Sequence, residues 1–292
     1  MSKRARAPLR IDLAGGWTDV PTFADREGGA VVNVTINRYV HGTLEDSDVR
    51  FEHDVRAAGL GSSACEHVVE HALRHPDADL DEIAEAAFAA VTAAGVMGGR
   101  QDQYAACYGG LSFMTFGGAS GGPVRIERLE LPETIVGALE KRLVLVDSGV
   151  PRLSGEIHQA VWDAYAREDD ATVGALLALK HAARAMRDAL AGSDFGGVRQ
   201  VMNENWHQQK RLHPSITNEG IDRLFELSMN NGASAGKACG AGGGGAVVFY
   251  ASSDADAVRL RGALRAQGIT LIDFAFEFEG LVDEEEGQSA SA

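Results

Sequence analysis

The alternation of apolar and polar residues predicts three strands in the first half of the chain. Residues 29–44 alternate β-branched and polar positions after a pair of glycines, which is typical of a half-buried strand. Residues 111–117 and 142–148 also have strand patterns. The second of these is almost wholly apolar, so we expect it to be a central strand.

A repeat of apolar residues close to 3.6 positions predicts helices through much of the rest of the chain. The five segments with this period are 63–74, 80–94, 155–168, 171–191 and 195–212. The last third returns to strand patterns at 244–251 and 269–279, and a helix over 253–267 that ends at Gly268 separates them. Because strands and helices mix without strict alternation, the expected fold class is α+β.

The composition and net charge of the chain limit the classes of partner that it is expected to bind. The 292 residues include 27 Lys and Arg against 42 Asp and Glu, a formal net charge of −15. This balance argues against nucleic acid or an anionic membrane as partner, because both select for clustered basic residues. The three cysteines, Cys65, Cys107 and Cys239, lack CxxC spacing, and no apolar stretch approaches 18 residues. We therefore predict reduced thiols and a cytoplasmic protein.

Three glycine-rich segments carry the candidate chemistry. The first, within residues 7–21, contains Gly15-Gly16, and a strand that ends in a turn is its ordinary explanation. The second is Gly59-Leu60-Gly61-Ser62-Ser63, directly before a predicted helix. Glycines let the backbone approach an anion, and a helix N-terminus offers free N–H donors, so this segment is suited to holding phosphate. A Ser N-cap after a flexible turn is the alternative.

The third segment, Gly240 to Gly245, contains four consecutive glycines and precedes a strand pattern. Glycines lose much conformational entropy on folding, so four of them in a row are costly. A segment whose backbone is closely approached by another part of the molecule is therefore favoured over an ordinary loop. Between the second and third segments, Asp102 stands in the run Gly98-Gly99-Arg100-Gln101-Asp102-Gln103. An isolated Asp in a loop is usually a turn former, but the neighbouring amides and Arg make Asp102 a catalytic candidate.

In this order, the segments resemble the motifs of the GHMP kinases, the superfamily that includes galactokinase, homoserine kinase and mevalonate kinase. Within it, the closest likeness is to the D-glycero-D-manno-heptose 7-phosphate kinases and next to the fucokinases. The residues that carry it include RAPLRIDLAGGWTDVP, GLGSSA, GGRQDQYAACYGGLSFM and GKACGAGGGGAVVFY, and the likeness spans roughly residues 6–280. Gly16-Trp17 replaces the Glu-His of galactokinases, so galactose is not the expected sugar.

The resemblance implies a two-domain protein with its active site in the interdomain cleft. The expected domains are residues 1–152 and 153–282, and residues 283–292 form an acidic tail without apolar residues that we expect to be flexible. It further implies transfer of the ATP γ-phosphate, with Mg²⁺, to the anomeric hydroxyl of a sugar or sugar phosphate, a heptose 7-phosphate being the first choice. The alternative is a non-catalytic or weakly active homologue that binds sugar or nucleotide. Homodimer formation is left open.

The resemblance also gives individual residues their expected roles. Asp102 is the catalytic carboxylate and Arg10 the basic residue beside it. The other expected site residues are Asp19, Trp17 and Gly16 for the sugar; Arg152, Lys210 and Arg211 as anchors for a sugar phosphate; Gly59, Gly61, Ser62 and Ser63 for the nucleotide phosphates, Ser63 also for Mg²⁺; and Gly242, Gly243 and Gly244, with Gly245, as the third motif.

Two departures from the family pattern bear on activity. Family members place further strands and part of the adenine site before the phosphate loop, where this chain has only Glu45 to Ala58. They also carry a Glu that binds Mg²⁺ on the helix before the catalytic segment, where this chain has residues 89–94 without a carboxylate. Glu82 and Glu85 lie one to two turns earlier on that helix. His67, His71 and His75 recur every four residues, and we interpret them as a solvated helix face rather than a metal site.

Overall fold

The computed structural model describes residues 3–118, 122–150 and 154–284. The strands within these ranges are Lys3–Ala14 (β1), Gly29–Glu45 (β2), Asp48–His53 (β3), Leu111–Phe116 (β4), Arg125–Arg128 (β5), Leu143–Asp147 (β6), Ala233–Ala238 (β7), Ala246–Ala251 (β8), Thr270–Ile272 (β9) and Val282–Glu284 (β10). The helices are Pro21–Glu27 (α1), Ser62–Arg74 (α2), Leu80–Ala93 (α3), Gln101–Tyr108 (α4), Glu133–Arg142 (α5), Ser154–Ala166 (α6), Asp170–Ala191 (α7), Phe195–Leu212 (α8), Glu219–Asn230 (α9) and Asp254–Ala266 (α10), with a 3₁₀ turn at Pro214–Ile216.

The strands form two antiparallel sheets. The first has the order β10-β1-β2-β4-β5, with β3 also paired to β2. Residues 7–14 of β1 are all buried, and helices α2, α7 and α8 contact this strand. Unbroken burial shows that both faces of β1 are covered, although its sequence alternates: Leu9, Ile11 and Leu13 are apolar, and the polar residues Arg10 and Asp12 between them are buried as well.

The second sheet has the order β7-β8-β6-β9. Its strands divide their side chains between two cores: Val144 and Val247 pack with Leu260 of α10, whereas Leu145 and Val248 belong to a larger core shared with the first sheet. The α+β class is confirmed, and β6 lies inside a sheet as its apolar pattern predicts. The shared core holds the two sheets in fixed relation around the cleft described below.

The division of the chain at residue 152 stays a prediction, and it does not coincide with the division between the sheets. Strand β6 lies before residue 152, yet it pairs with β8 and β9 of the second sheet. The chain therefore passes from one sheet to the other between β5 and β6.

Two predictions about the C-terminal region need correction. Asp283 and Glu284 are not frayed: β10 pairs with β1, and Arg6 Nη1 lies 3.1 Å from Glu284 Oε1. Backbone pairing and this ion pair order a segment that has few apolar side chains. Residues 285–292 lie outside the described part of the chain.

The second correction concerns residues 269–279, of which only Thr270–Ile272 form a strand. Beyond this strand the chain crosses to the first sheet. There the Asn37 backbone N–H donates to Ala275 O (2.9 Å) and the Glu277 N–H donates to Thr35 O (3.0 Å). The apolar pattern of the segment was detected correctly, but its backbone partners are divided between two sheets.

Candidate active site

The second glycine-rich segment leads into the N-terminus of α2. Gly59 and Gly61 have φ angles of +94° and +85°, values that favour glycine, and Gly61 is the N-cap residue of α2 without a side-chain cap. The first N–H groups of the helix therefore lack a side-chain acceptor. Ser62 and Ser63 follow at this end and line a cleft with a volume of about 650 Å³. The arrangement suits an anion such as a nucleotide phosphate.

Asp102 lies next to this helix end. A Cβ atom on Gly61 would be 3.3 Å from Asp102 Cγ, which shows how closely the two segments approach. Asp102 belongs to the first turn of helix α4, so its placement in a loop was wrong. The helix has only eight residues, too few for an apolar repeat to reveal it. The side chain of Asp102 is 27% exposed and lines the cleft.

Arg10 of β1 connects Asp102 to residues 59–63, the expected phosphate loop. Its Nε donates to Asp102 Oδ1 at 2.7 Å, and its Nη1 donates to the carbonyl oxygens of Gly59 (2.6 Å) and Cys239 (3.1 Å). The side chain is only 5% exposed. One guanidinium thus fixes the carboxylate, the phosphate loop and the end of β7 relative to one another, which uses the planar donor geometry that Arg alone provides.

Asp19 lies in the turn after β1 and is buried against α4. Its Oδ2 accepts from the Gln101 backbone N–H at 3.1 Å. Burial raises the pKa of Asp19 to about 7, and the negative charge of Asp102 adds to the shift. A Cβ atom on Gly99 would lie 1.8 Å from Asp19 Oδ2, so only glycine fits there.

Trp17, in the same turn, has a φ angle of +81°, a conformation that is strained for a bulky residue. Its indole ring stacks on His158 of α6 with ring centroids 4.4 Å apart, and it also contacts Trp162 at 5.9 Å. Trp17 and Gly16 both line the cleft. The residues that the first motif predicts to bind sugar therefore lie together beside Asp19. His158 was not predicted, because it belongs to a helix that is distant in the sequence.

Comparison with known proteins supports the motif reading. Residues 186–270 match the family model for the C-terminal region of GHMP kinases. The chain is 28% identical to D-glycero-alpha-D-manno-heptose 7-phosphate kinase of Campylobacter jejuni, over 95% of this chain and 97% of that protein. It is 25% identical to a bifunctional fucokinase/GDP-fucose pyrophosphorylase of Arabidopsis thaliana, over 88% of this chain and 30% of that protein.

The fold of this chain is also similar to that of a solved structure. The crystal structure of a D-glycero-D-manno-heptose 1-phosphate kinase from Bacteroides thetaiotaomicron has a TM-score of 0.73 and 22% identity, covering 98% of this chain and 99% of that one. The resemblance to the GHMP kinases is confirmed. The match to the Campylobacter kinase runs over 335 aligned positions, more than the 292 residues of this chain. That relative therefore contains segments that this chain lacks.

Residues 240–245, the expected third motif, lie behind residues 59–63, the expected phosphate loop. Gly240 and Ala241 line the cleft, but residues 242–244 are not among its lining residues. The turn is held from behind, because the Ala246 N–H donates to Ala58 O and the Gly243 N–H donates to Ile216 O, both at 2.8 Å. These contacts suit a supporting role for Gly242, Gly243 and Gly244, which stays a prediction together with direct contact to nucleotide.

The predicted phosphate anchors are not brought into the cleft. Lys210 and Arg211 are exposed at the end of α8; Lys210 Nζ lies 5.7 Å from the Trp206 ring, and Arg211 donates to Gln208 Oε1 at 2.6 Å. Arg152 lies outside the described residues. Among the described residues that line the cleft, Arg10 is the single Lys or Arg, and its guanidinium is already bonded to Asp102.

The metal ligands expected of a GHMP kinase are also incomplete. Glu82 belongs to the capping box of α3, and Glu85 accepts from Arg100 Nε (3.1 Å) and Tyr104 OH (3.0 Å). Neither carboxylate lines the cleft. The described residues contain no group of three or more His, Cys, Asp or Glu arranged to hold a metal ion.

A buried ion pair that the motifs did not predict joins the two sheets. Lys237 of β7 is fully buried, and its Nζ lies 2.9 Å from Asp12 Oδ2 and donates to Asp12 O at 2.8 Å. The only signal in the sequence is a Lys within the strand ASAGKA, whose other residues are small. Such a Lys needs a partner when buried, but the sequence does not show that its partner lies 225 residues away.

Proposed function

We propose that this chain transfers the γ-phosphoryl group of ATP to the anomeric hydroxyl of a sugar or sugar phosphate. A heptose 7-phosphate is the first acceptor to test, because the Campylobacter relative is named for that substrate. The observation that carries the proposal is the convergence of Asp102, Arg10 and the uncapped N-terminus of α2 on one cleft. Phosphoryl transfer depends chiefly on positioning and charge compensation, which these groups provide.

The proposed reaction assigns each group a task. Asp102 accepts the proton of the attacking hydroxyl as its oxygen forms the new bond to the γ-phosphorus and the bond to the β-phosphate oxygen breaks, leaving ADP. Arg10 holds the Asp102 carboxylate and contributes positive charge near the transferring group. The N–H groups at the start of α2, with Gly59 and Gly61, hold the nucleotide phosphates.

The residues fit Mg²⁺ held mainly by the nucleotide. The hydroxyl of Ser63, or of Ser62 beside it, is available at the cleft, and Mg²⁺ commonly keeps waters and substrate oxygens as its remaining ligands. Bound there, Mg²⁺ would offset the negative charge of the phosphates. A cytoplasmic location, exclusion of nucleic acid and homodimer formation stay predictions; no helix among the described residues is long and apolar enough to span a bilayer.

A coupled assay for ADP release tests the proposal, with heptose 7-phosphate, the free heptose, mannose and fucose as acceptors. In Asp102→Asn we expect kcat to fall about 10²- to 10⁴-fold with little change in sugar affinity, because the amide keeps the shape but cannot accept the proton. Asp170→Asn, in the exposed first turn of α7, is the control. Wild-type turnover in Asp102→Asn would refute the role of Asp102.

A second candidate is a sugar- or nucleotide-binding homologue without turnover. One observation favours it. Glu85 is the carboxylate of α3 that is nearest in sequence to residues 89–94, and it is bonded to Arg100 and Tyr104 and does not line the cleft. Sugar binding by calorimetry without ADP release for any acceptor would support this alternative.

A further inference from the structure

Two buried side-chain contacts join strand β1 to strand β7 and the residue after it, although the two strands belong to different sheets. Arg10 Nη1 donates to Cys239 O at 3.1 Å, while Lys237 Nζ donates to Asp12 O at 2.8 Å and lies 2.9 Å from Asp12 Oδ2. Arg10 and Asp12 are two positions apart on β1, so they lie on the same face of that strand. Lys237 and Cys239 are also two positions apart, and the contacts therefore form neighbouring rungs. We call the second rung the Lys237–Asp12 cross-link.

The Lys237–Asp12 cross-link is an expensive way to fill the space between two strands. Lys237 is fully buried and Asp12 is 2% exposed. Both charges lose their hydration there, and apolar side chains of similar shape are often at least as favourable for stability. The ion pair does restrict geometry, because Lys237 Nζ is bonded to the backbone and to the side chain of one residue. The cross-link is therefore suited to fixing the two strands in one relative position.

The first rung belongs to a closed circuit of hydrogen bonds around the expected phosphate loop. The Cys239 N–H donates to Ala246 O (3.0 Å), and the Ala246 N–H donates to Ala58 O (2.8 Å). The next residue, Gly59, accepts from Arg10 Nη1 at 2.6 Å, which returns the circuit to β1. A shift of β7 relative to β1 would therefore displace the loop and the guanidinium together.

Lys237 can influence the cleft only through other residues, because it is not among the described residues that line the cleft. Arg10, on the neighbouring rung, lines the cleft and holds Asp102 Oδ1 through Nε at 2.7 Å. Without the cross-link, a single rung between β1 and the end of β7 would remain to support this guanidinium. The position of the Asp102 carboxylate thus depends on a contact that lies outside the cleft.

We propose that Lys237 and Asp12 are positioning residues for the proposed reaction. Their cross-link fixes β7 against β1 at the spacing at which Arg10 holds both the expected phosphate loop and the Asp102 carboxylate. A misplacement of about 1 Å can cost about a hundredfold in rate, so such a contact can control turnover. The inference rests on the proposed function and deepens it, because it names residues that align the reacting groups without touching either substrate.

The first test replaces the cross-link by apolar side chains of similar shape. Asp12→Leu combined with Lys237→Met keeps the branching of the Asp and the length of the Lys, and such exchanges are often neutral for stability. We expect a melting temperature within about 5 °C of the wild type. We also expect kcat to fall about 10- to 100-fold, with KM for the sugar and for ATP changed by less than about threefold. Wild-type kcat in this double variant would overturn the proposal.

Asp12→Asn should give the opposite combination of effects. The amide keeps an oxygen that can accept from Lys237 Nζ, but it no longer offsets the buried positive charge. We therefore expect a lower melting temperature than in the double variant, with kcat within about threefold of the wild type. A fall in kcat of about tenfold or more in Asp12→Asn would overturn the proposal, whether or not the double variant folds. Parallel losses of kcat and melting temperature in all variants would show a merely structural pair.

The matched control removes an ion pair elsewhere on β1. Arg6 Nη1 lies 3.1 Å from Glu284 Oε1 and joins β1 to β10, and neither residue is among those described at the cleft. Arg6→Met combined with Glu284→Gln should leave kcat unchanged. A loss as large as that of the cross-link variant would mean that any disturbance of β1 slows turnover, which would overturn the specific role of Lys237 and Asp12.

A mutant cycle tests whether the cross-link acts through Arg10. The variants are Arg10→Lys, the Asp12→Leu/Lys237→Met double variant and their combination, all compared in kcat. Changes that act through one group are not additive. We therefore expect the combination to lose little more than Arg10→Lys alone, and fully additive losses would overturn the route through Arg10.

A measurement without substrate separates this inference from the proposed function. In protein labelled at the arginine nitrogens, the Arg10 Nε–H that is bonded to Asp102 should give an NMR signal that exchanges slowly with water, assigned by its absence from Arg10→Lys. We expect exchange about tenfold faster or more in the Asp12→Leu/Lys237→Met variant and no change in the Arg6→Met/Glu284→Gln control. That result would support the cross-link even if no sugar is phosphorylated. Unchanged exchange would overturn the inference and leave the proposed function intact.

Discussion

The cleft has a proposed acceptor end, around Asp12 and Asp19, and a proposed nucleotide end, at residues 59–63, and the two differ in the groups that carry their chemistry. At the acceptor end, buried side chains carry the chemistry, because Asp12 and Asp19 are each only 2% exposed. At the nucleotide end, backbone groups of residues 59–63 carry the chemistry. The apolar side chains of Val96 and Met97, which also line the cleft, are 56% and 39% exposed. A buried network specifies one ligand shape, whereas an open backbone loop binds any suitably placed phosphate. Selectivity should therefore be concentrated at the acceptor end.

Arg10 joins the two ends, and among the changes that test this comparison its replacement should have the largest effect. Arg10→Lys keeps a positive charge but cannot bond Asp102, Gly59 O and Cys239 O together, because the ammonium lacks the guanidinium fork. We expect kcat to fall about 10²- to 10³-fold and the melting temperature to drop. Arg100→Lys is the control, because its partner Glu85 is 44% exposed and such pairs contribute only about 0–1 kcal/mol. Similar losses in both variants would contradict the central position of Arg10.

The acceptor end should also make stability depend on pH. Asp19 has a pKa of about 7 when folded and about 3.9 when unfolded. Between these pH values the folded protein holds a proton that the unfolded chain has lost, so raising the pH lowers the free energy of unfolding. The stabilisation is complete below about pH 4, is lost by about pH 7, and amounts to roughly 2–4 kcal/mol.

Asp19→Asn should remove this part of the pH dependence. Denaturant unfolding at pH 5, 6, 7 and 8 would show the variant gaining stability relative to wild type as the pH rises. Asp25→Asn, on an exposed position of α1, should leave the profile of the wild type unchanged. Parallel profiles for wild type and Asp19→Asn would mean that Asp19 is not held in a desolvated state.

The sequence predicts the residues of the two ends unequally well. Arg10, Asp19, Gly61, Ser63 and Asp102 belong to short local patterns whose chemistry is recognisable, and all of them line the cleft. At the nucleotide end this local information is almost sufficient, because a glycine turn followed by a helix builds its site from consecutive residues.

The acceptor end depends on contacts between distant segments, which a single sequence does not show. Lys237 meets Asp12 across 225 residues, and His158 reaches Trp17 from α6. The pattern of apolar residues predicts β2, β4, β6 and β8 because it reports which side chains are buried. It does not predict β10, because backbone pairing rather than burial of apolar side chains holds that strand. Lys210 and Arg211 were chosen by charge alone, and the face of α8 that carries them points elsewhere.

The tight packing of the acceptor end predicts a sharp difference between two adjacent glycines. Gly99→Ala would place a Cβ atom 1.8 Å from Asp19 Oδ2, whereas a Cβ atom on Gly98 meets nothing within 4 Å. We expect Gly99→Ala to raise KM for the sugar about tenfold by displacing one hydrogen-bonding carboxylate, with KM for ATP little changed. Gly98→Ala should behave as wild type in steady-state kinetics. Equal effects of the two substitutions would show that the acceptor end is less rigid than its contacts imply.

The smallest expected effect concerns the choice of nucleotide base. Of the shortened segment Glu45 to Ala58, only Ala58 lines the cleft in the described part of the chain. The apolar side chains of Val91, Val96 and Met97 also line the cleft, and they can contact any purine but cannot hydrogen-bond to it. Discrimination between bases needs such polar contacts.

We therefore expect the dissociation constants of ATP and GTP, measured by calorimetry without acceptor, to differ by less than about tenfold. Met97→Ala should weaken both nucleotides by a similar factor, because it removes apolar contact and no base-specific group. Met229→Ala, a similarly exposed methionine on α9 away from the cleft, should change neither. A preference for ATP of a hundredfold or more in the wild type would contradict the comparison, because it would require a base-specific polar contact at this end of the cleft.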